Sequence, residues 1–125
     1  MADYREISQS YARAAVNTSV ILNGGAAIAL MNQMSSLIGS GFGPIIFWPI
    51  TLWAAGAFLA GITYPVAFLS SRYVDKSERE PSKEAAHIKI ADKLMLAGLI
   101  SNVLSFLLFA AGTIKISYEF KALFG

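Results

Sequence analysis

Residues 14–71 read AAVNTSVILNGGAAIALMNQMSSLIGSGFGPIIFWPITLWAAGAFLAGITYPVAFLSS, and the whole stretch contains no Asp, Glu, Lys or Arg. A bilayer core of about 30 Å takes about 20 apolar residues per helix, so this length of uncharged chain holds two membrane spans. The division between them is marked by Gly39, Gly41, Gly43 and Pro44, a cluster that a continuous helix does not tolerate. The spacing predicts a first transmembrane helix over 15–38, a Gly-rich turn over 39–45 and a second transmembrane helix over 46–69.

Working outward, a second uncharged stretch runs from Leu94 to Ile114 and supplies a third span, 94–114. Between the second and third spans the composition inverts. Residues 72–93 carry six basic side chains (Arg72, Lys76, Arg79, Lys83, Lys89, Lys93) and five acidic ones (Asp75, Glu78, Glu80, Glu84, Asp92), so 70–93 reads as a charged aqueous hairpin. The pair Ser77 and Glu80 has capping-box spacing and Pro81 suits a first helical turn. These signals predict a helix from about Ser82 that runs unbroken into the third span. Residues 1–14 read as a lead-in helix and 115–125 as a short tail with Tyr118 and Phe120 at an interface. Trp48, Trp53 and Tyr73 are placed at headgroup depth, as amphipathic aromatics prefer. Pro49 is placed in the first turn of the second span, and Pro65, inside it, predicts a kink.

The expected fold class is therefore all-α: an integral membrane protein of three transmembrane helices, oligomeric in its working form. A hydrophobic fraction of 55% with only 14% charged residues is out of line for a soluble domain of 125 residues. A net charge of +2 is too mild to make nucleic acid a general partner. The chain has no cysteine, which removes disulfides, thiolate metal sites and thiol nucleophiles. The first dozen residues mix both charge signs, so no signal peptide is expected and the first span is retained. Lys and Arg counted in the flanks give eight on the side of the N-terminus and hairpin, against Lys115 and Lys121 on the other. The positive-inside rule then predicts a bacterial inner-membrane protein with a cytoplasmic N-terminus and hairpin and an external C-terminus.

The first span is unusually polar for a membrane helix. On a helical wheel Asn17, Gly24, Gly25, Asn32 and Ser35 share one side with Ile21 and Ile28, while Ser19, Asn23 and Gln33 fall roughly opposite. In the third span Gly98, Ser101, Asn102, Ser105, Phe109 and Gly112 form one stripe, with Leu96, Ile100, Val103 and Leu107 on the other side. The second span presents Ala54, Ala57 and Gly61 on one face and Gly56, Ala60 and Ala67 on another. Amides in hydrocarbon need partners, so Asn17, Asn23, Gly24, Gly25, Asn32, Ser101, Asn102 and Ser105 are the candidates for helix packing or for lining a pore. Three helices cannot enclose a water-filled path alone, so a pore requires a homo-oligomer.

The spans offer no acid, base or histidine for intramembrane chemistry. No catalytic residue, metal ligand or cofactor is expected, and an enzyme is not. Arg72, Lys76, Arg79, Lys83, His87 and Lys89 are the candidates for binding a signal or partner. In an oligomer they would form basic rings suited to phosphates or an oligonucleotide. The plainer reading is a solvated loop that fixes topology and meets anionic headgroups.

The segment SVILNGGAAIALMNQM, residues 19–34, resembles the Asn-Gly-Gly-Ala first span of a loose group of small bacterial three-span membrane proteins. Some of these look like membrane effectors encoded beside nucleotidyltransferases in anti-phage defence operons, of the Hailong effector HalB type. The resemblance implies a multimeric ion channel gated by a nucleic-acid-like signal, with Asn23, Gly24 and Gly25 in the shared segment. Two other functions fit three spans: a phage holin, and a non-conducting anchor or assembly subunit for a soluble partner held at the hairpin. A typical three-span holin has an external N-terminus and a strongly basic cytoplasmic tail, the reverse of the arrangement expected here.

Overall fold

The computed structural model describes residues 4–125, and the described residues are almost entirely helical, with no strand. The elements are α1 (Tyr4–Asn32), a short α2 (Met34–Gly39), α3 (Gly43–Arg79), a 3-10 turn (Pro81–Lys83) and α4 (Glu84–Phe124). Three helices, Glu6–Asn32, Gly43–Arg79 and Pro81–Phe124, are long and apolar enough to cross a membrane. The first three residues of the expected lead-in helix lie outside the described ones. The remainder is the beginning of α1.

Several boundaries differ from the sequence expectation for identifiable reasons. The first span is interrupted at Gln33, whose N–H reaches Leu30 O at 3.1 Å, a tighter closure than the α-helical one, and α2 restarts beyond it. Gly41 makes the reversal into α3 with φ +87°, a left-handed conformation that glycine adopts without penalty. Helix α3 begins at Gly43, so Pro44 occupies its first turn, whereas Pro49 sits well inside and is buried. The helix continues through Pro65 as well.

At its far end α3 runs two turns past Arg72, so Ser77 is not a cap. Its hydroxyl donates to Val74 O at 2.6 Å within the helix. The reversal is left to Glu80–Lys83 alone. Glu80 precedes a proline and takes an extended conformation, φ −121° and ψ 75°, because the α region is disfavoured there. The C-terminal segment 115–125 is no separate tail: α4 stays helical to Phe124, and the rings of Phe120 and Phe124 pack at a tilt against Phe42 at the α2–α3 turn with centroids at 5.7 and 6.4 Å.

The inner positions of each long helix recur at steps of three, four or seven residues. In α3 these are Ile46, Pro49, Trp53, Gly56, Ala60, Thr63, Ser70 and Ser77; in α4 they are Ala91, Gly98, Asn102, Ser105 and Gly112; in α1 they are Val16, Ser19, Asn23 and Ala27. A mean step near 3.5 keeps one seam facing its neighbours along the full length of the helices. Cross-links fix the directions. Ser19 meets Asn102 and Asn23 meets Ser105, so α1 and α4 advance together. Tyr64 meets Asn17, and Ser70 donates to Ala91 O at 2.9 Å, so α3 runs against both.

Close approach is made possible by glycines on the seam. A Cβ on Gly56 would fall 2.5 Å from Asn23 Cγ, and one on Gly112 would fall 2.5 Å from Trp53 Nε1. Trp53 is accordingly not a headgroup anchor. Its indole is buried, stacks on Phe109 and donates to Phe109 O at 3.1 Å. It stands ten residues into α3 on the seam, while Trp48 remains outward. Leu96, Ile100, Val103 and Leu107 of α4 are outward too, an apolar surface suited to lipid.

Candidate functional site

The seam of the three long helices closes on a polar cluster. In α1 Ser19 and Asn23 are four residues apart and therefore stacked on one face, with neither side chain exposed at all. Helix α4 brings Asn102 and Ser105 opposite them, both buried, and α3 brings the backbone of Gly56. The Ser19 hydroxyl donates to Asn102 Oδ1 at 2.7 Å. Asn23 Nδ2 directs one N–H to its own-helix Ser19 O at 3.0 Å and shares the other between Ser105 Oγ at 3.0 Å and Ser105 O at 3.1 Å. The Ser105 hydroxyl donates to Gly56 O at 2.7 Å, which leaves a lone pair on Oγ to accept from the Asn23 amide. Ser19 and Asn23 thus bind α1 to α4, and Ser105 carries the network on to α3.

Asn23 Oδ1 is buried and has no hydrogen-bond partner among the described residues. It lies where a side chain on residue 56 would be, so glycine at 56 creates the space and the Asn23 amide fills it. All three Nδ2 partners are acceptors, which fixes the amide orientation: an exchange of O and N would set oxygen against oxygen. The cluster has no titratable group, so it offers orientation and polarity but no proton transfer at neutral pH.

The remaining α1 candidates lie elsewhere. Asn17, Gly25 and Asn32 are exposed, on the outward side with Ile21 and Ile28, Gly24 is half-buried, and Ser35, beyond the break at Gln33, is exposed on α2. Asn17 Oδ1 accepts a hydrogen bond from the Tyr64 hydroxyl. A Cβ on Gly24 or Gly25 would meet nothing within 4 Å, so the packing of one chain does not require either glycine. Ser101 is half-buried beside Asn102. Thr18, Thr51 and Thr113, also outward, return their hydroxyls to carbonyls of their own helices at 2.8 to 2.9 Å, the usual way to satisfy a hydroxyl in lipid.

The hairpin candidates do not form one site. Arg72 and Arg79 line a shallow groove of about 270 Å³ on the outer face of α3 together with Phe68, Ser71 and Asp75. The Lys76 ammonium sits 4.8 Å from the centroid of the Tyr73 ring. Lys83 and His87 converge on Glu80, His87 Nε2 at 3.3 Å and Lys83 Nζ at 4.0 Å. The hydrogen bond from His87, followed by the charge of Lys83, holds the Glu80 carboxyl below its usual value. Lys89 is exposed on α4.

The Asn23 and Ser105 pairing was half visible in the sequence. The Ser/Asn stripe of α4 could be read from its spacing, but nothing in α1 said which of its two polar sides faced that stripe. Trp53 carried a usable signal in its seam partners Pro49, Gly56 and Ala60, at steps of three and four along the helix. Compared with protein-family models, curated proteins and solved structures, the chain matches none.

Proposed function

We propose that this chain is the subunit of a homo-oligomeric ion channel or pore-forming effector of the bacterial inner membrane, with its conducting path between copies. The observation that carries this reading is the outward side of α1. Gly24 and Gly25 have open space beside them, yet each glycine in a helix costs about 1 kcal/mol relative to alanine. Close approach of a second backbone offsets that cost, as it does in small-residue membrane interfaces. The same side carries Asn17 and Asn32, and Ser35 follows on α2; a single copy leaves all three exposed. Around a symmetry axis these become rings of amides and hydroxyls near the two ends of the span, with Ile21 and Ile28 as apolar constrictions between them. Such constrictions gate by dewetting.

The interior of the protomer is not the path in this reading. Asn23, Asn102, Ser19 and Ser105 are consumed by one another, and they fix α1 on the α3–α4 pair. The hairpin lies in the cytoplasm with the N-terminus, and a nucleotide-type signal of anti-phage defence, or a soluble partner, acts there through Lys83, His87 and Lys89. Purified full-length chain in a planar bilayer tests the reading. Asn32→Leu and Ile28→Ser are expected to change single-channel conductance or leak, while Asn23→Leu changes stability alone. Absence of conductance under every ligand, short oligonucleotides included, would refute it and favour the anchor.

A further inference from the structure

We infer that the groove on the outer face of α3 is a binding site for the phosphate of an anionic phospholipid, with Arg72 and Arg79 as the cationic walls and Phe68 as the acyl-chain contact. The site does not depend on conduction. Phe68, Ser71, Arg72, Asp75 and Arg79 fall at helical steps of three and four along one stripe and line one groove. Ser71 ends the uncharged stretch and Arg72 is the first charge beyond it. From Arg72 to Arg79 the helix rises about 10 Å, whereas the headgroup layer of one leaflet is about 5 to 7 Å thick. The two arginines therefore bracket that layer.

Side chains on a helix lean toward its N-terminus, and for α3 at this end that direction is back toward the bilayer. The Arg72 guanidinium lies 6.0 Å from the centroid of the Phe68 ring, and the Arg79 guanidinium reaches back to Asp75 at 2.8 Å. Arg72 makes no ion pair among the described residues. Asp75 lowers the net charge of the groove, but it engages one edge of Arg79, and a guanidinium with five N–H donors retains others for a phosphate oxygen. Ser71 adds a hydroxyl to the lining beside Arg72. An inorganic phosphate or a soluble phosphomonoester would use the arginines and leave Phe68, 61% exposed, without a role. A phospholipid uses both.

The experiment is lipid retention by the full-length chain, measured by native mass spectrometry after equilibration in micelles that contain equal phosphatidylglycerol and phosphatidylcholine of the same acyl length. Phosphatidylglycerol is expected to be retained several-fold in excess. Arg72→Gln and Arg79→Gln are each expected to remove most of that excess, because each takes away charge-assisted hydrogen bonds to the phosphate that a neutral amide does not replace. Lys93→Gln, the same charge change at nearly the depth of Phe68 but on α4, is expected to leave it nearly unchanged. All three positions are exposed, so the helical circular dichroism should match the parent chain. Equal retention of the two lipids, or an equal loss with Lys93→Gln, would overturn the inference in favour of general surface attraction. Displacement of phosphatidylglycerol by millimolar glycerol phosphate or inorganic phosphate would overturn the lipid source and assign the groove to a soluble phosphate.

Discussion

Gly56→Ala places a methyl group on the Asn23 side chain, and the structure sets the size of the effect. The new Cβ would lie 2.5 Å from Asn23 Cγ and 3.0 Å from Nδ2, well inside contact distance, and the amide cannot retreat because Nδ2 is tied to Ser19 and Ser105. Either α3 moves away from α1 or the Asn23 bonds break. Overpacking of this kind costs about 1 to 3 kcal/mol, and an interhelical hydrogen bond in a membrane is worth about 0.6 kcal/mol, up to about 1.7. The expected loss is therefore about 2 to 4 kcal/mol. Asn23→Ala alone loses the bonds and leaves a small void, at about 1 to 2 kcal/mol. In the double variant the void receives the methyl group, so the two changes together should cost less than their sum by about 2 kcal/mol, a coupling typical of residues in contact. The assay is reversible unfolding in mixed micelles by denaturing detergent, followed by far-ultraviolet circular dichroism, for the four chains of the cycle. A neutral Gly56→Ala, or strictly additive losses, would refute the argument that this glycine exists to seat Asn23.

Other outcomes follow from the same geometry. Gly25→Ala, where a Cβ meets nothing, should not destabilise the single chain and should raise its helix stability by up to about 1 kcal/mol, measured under dilute monomeric conditions in the same unfolding assay. Gly112→Ala should push the Trp53 indole off Phe109 O at about 1 to 3 kcal/mol, and tryptophan emission in a Trp48→Phe background should shift as the N–H loses its partner. The Glu80 carboxyl, held low by His87 and Lys83, should titrate below its ordinary value of 4.5 when followed by NMR. Because its folded pKa is depressed, its stabilising contribution to the hairpin is complete above about 4.5 and is lost as pH falls through the lower folded value. Glu80→Gln should abolish that dependence.

Three spans could be read from charge placement, because a run this long without Asp, Glu, Lys or Arg is suited to hydrocarbon and not to a water-facing surface. The inward stripe of α4 was also legible, since small and polar residues at steps of three and four contrast with leucines on the reverse. The orientation of α1 was not. Ser19 and Asn23 on one side and Asn17 and Asn32 on the other are equally polar in sequence, and only the partners Asn102, Ser105 and Gly56 decide between them. Local signals misled where tertiary packing outweighed them. Trp53 has the composition of a headgroup anchor but is held against the bare backbone of Gly112, and Ser77 has a capping-box partner in Glu80 but is carried into α3, which continues to Arg79. At the hairpin, Pro81 opens a helical turn as its type suggests, but that turn is a 3-10 one and the α-helix proper begins at Glu84, not Ser82.

The claim that α1 turns its outer side to other copies meets its most direct test in cross-linking, which the absence of native cysteine makes clean. Single cysteines are introduced at Ile28 of α1 and, for comparison, at Leu107 of α4, two outward positions of similar exposure, and the chains are oxidised in native membranes. Rapid disulfide-linked dimers from Ile28→Cys with little from Leu107→Cys is the predicted result. Equal cross-linking at both, or efficient cross-linking at Leu107→Cys alone, would contradict the account.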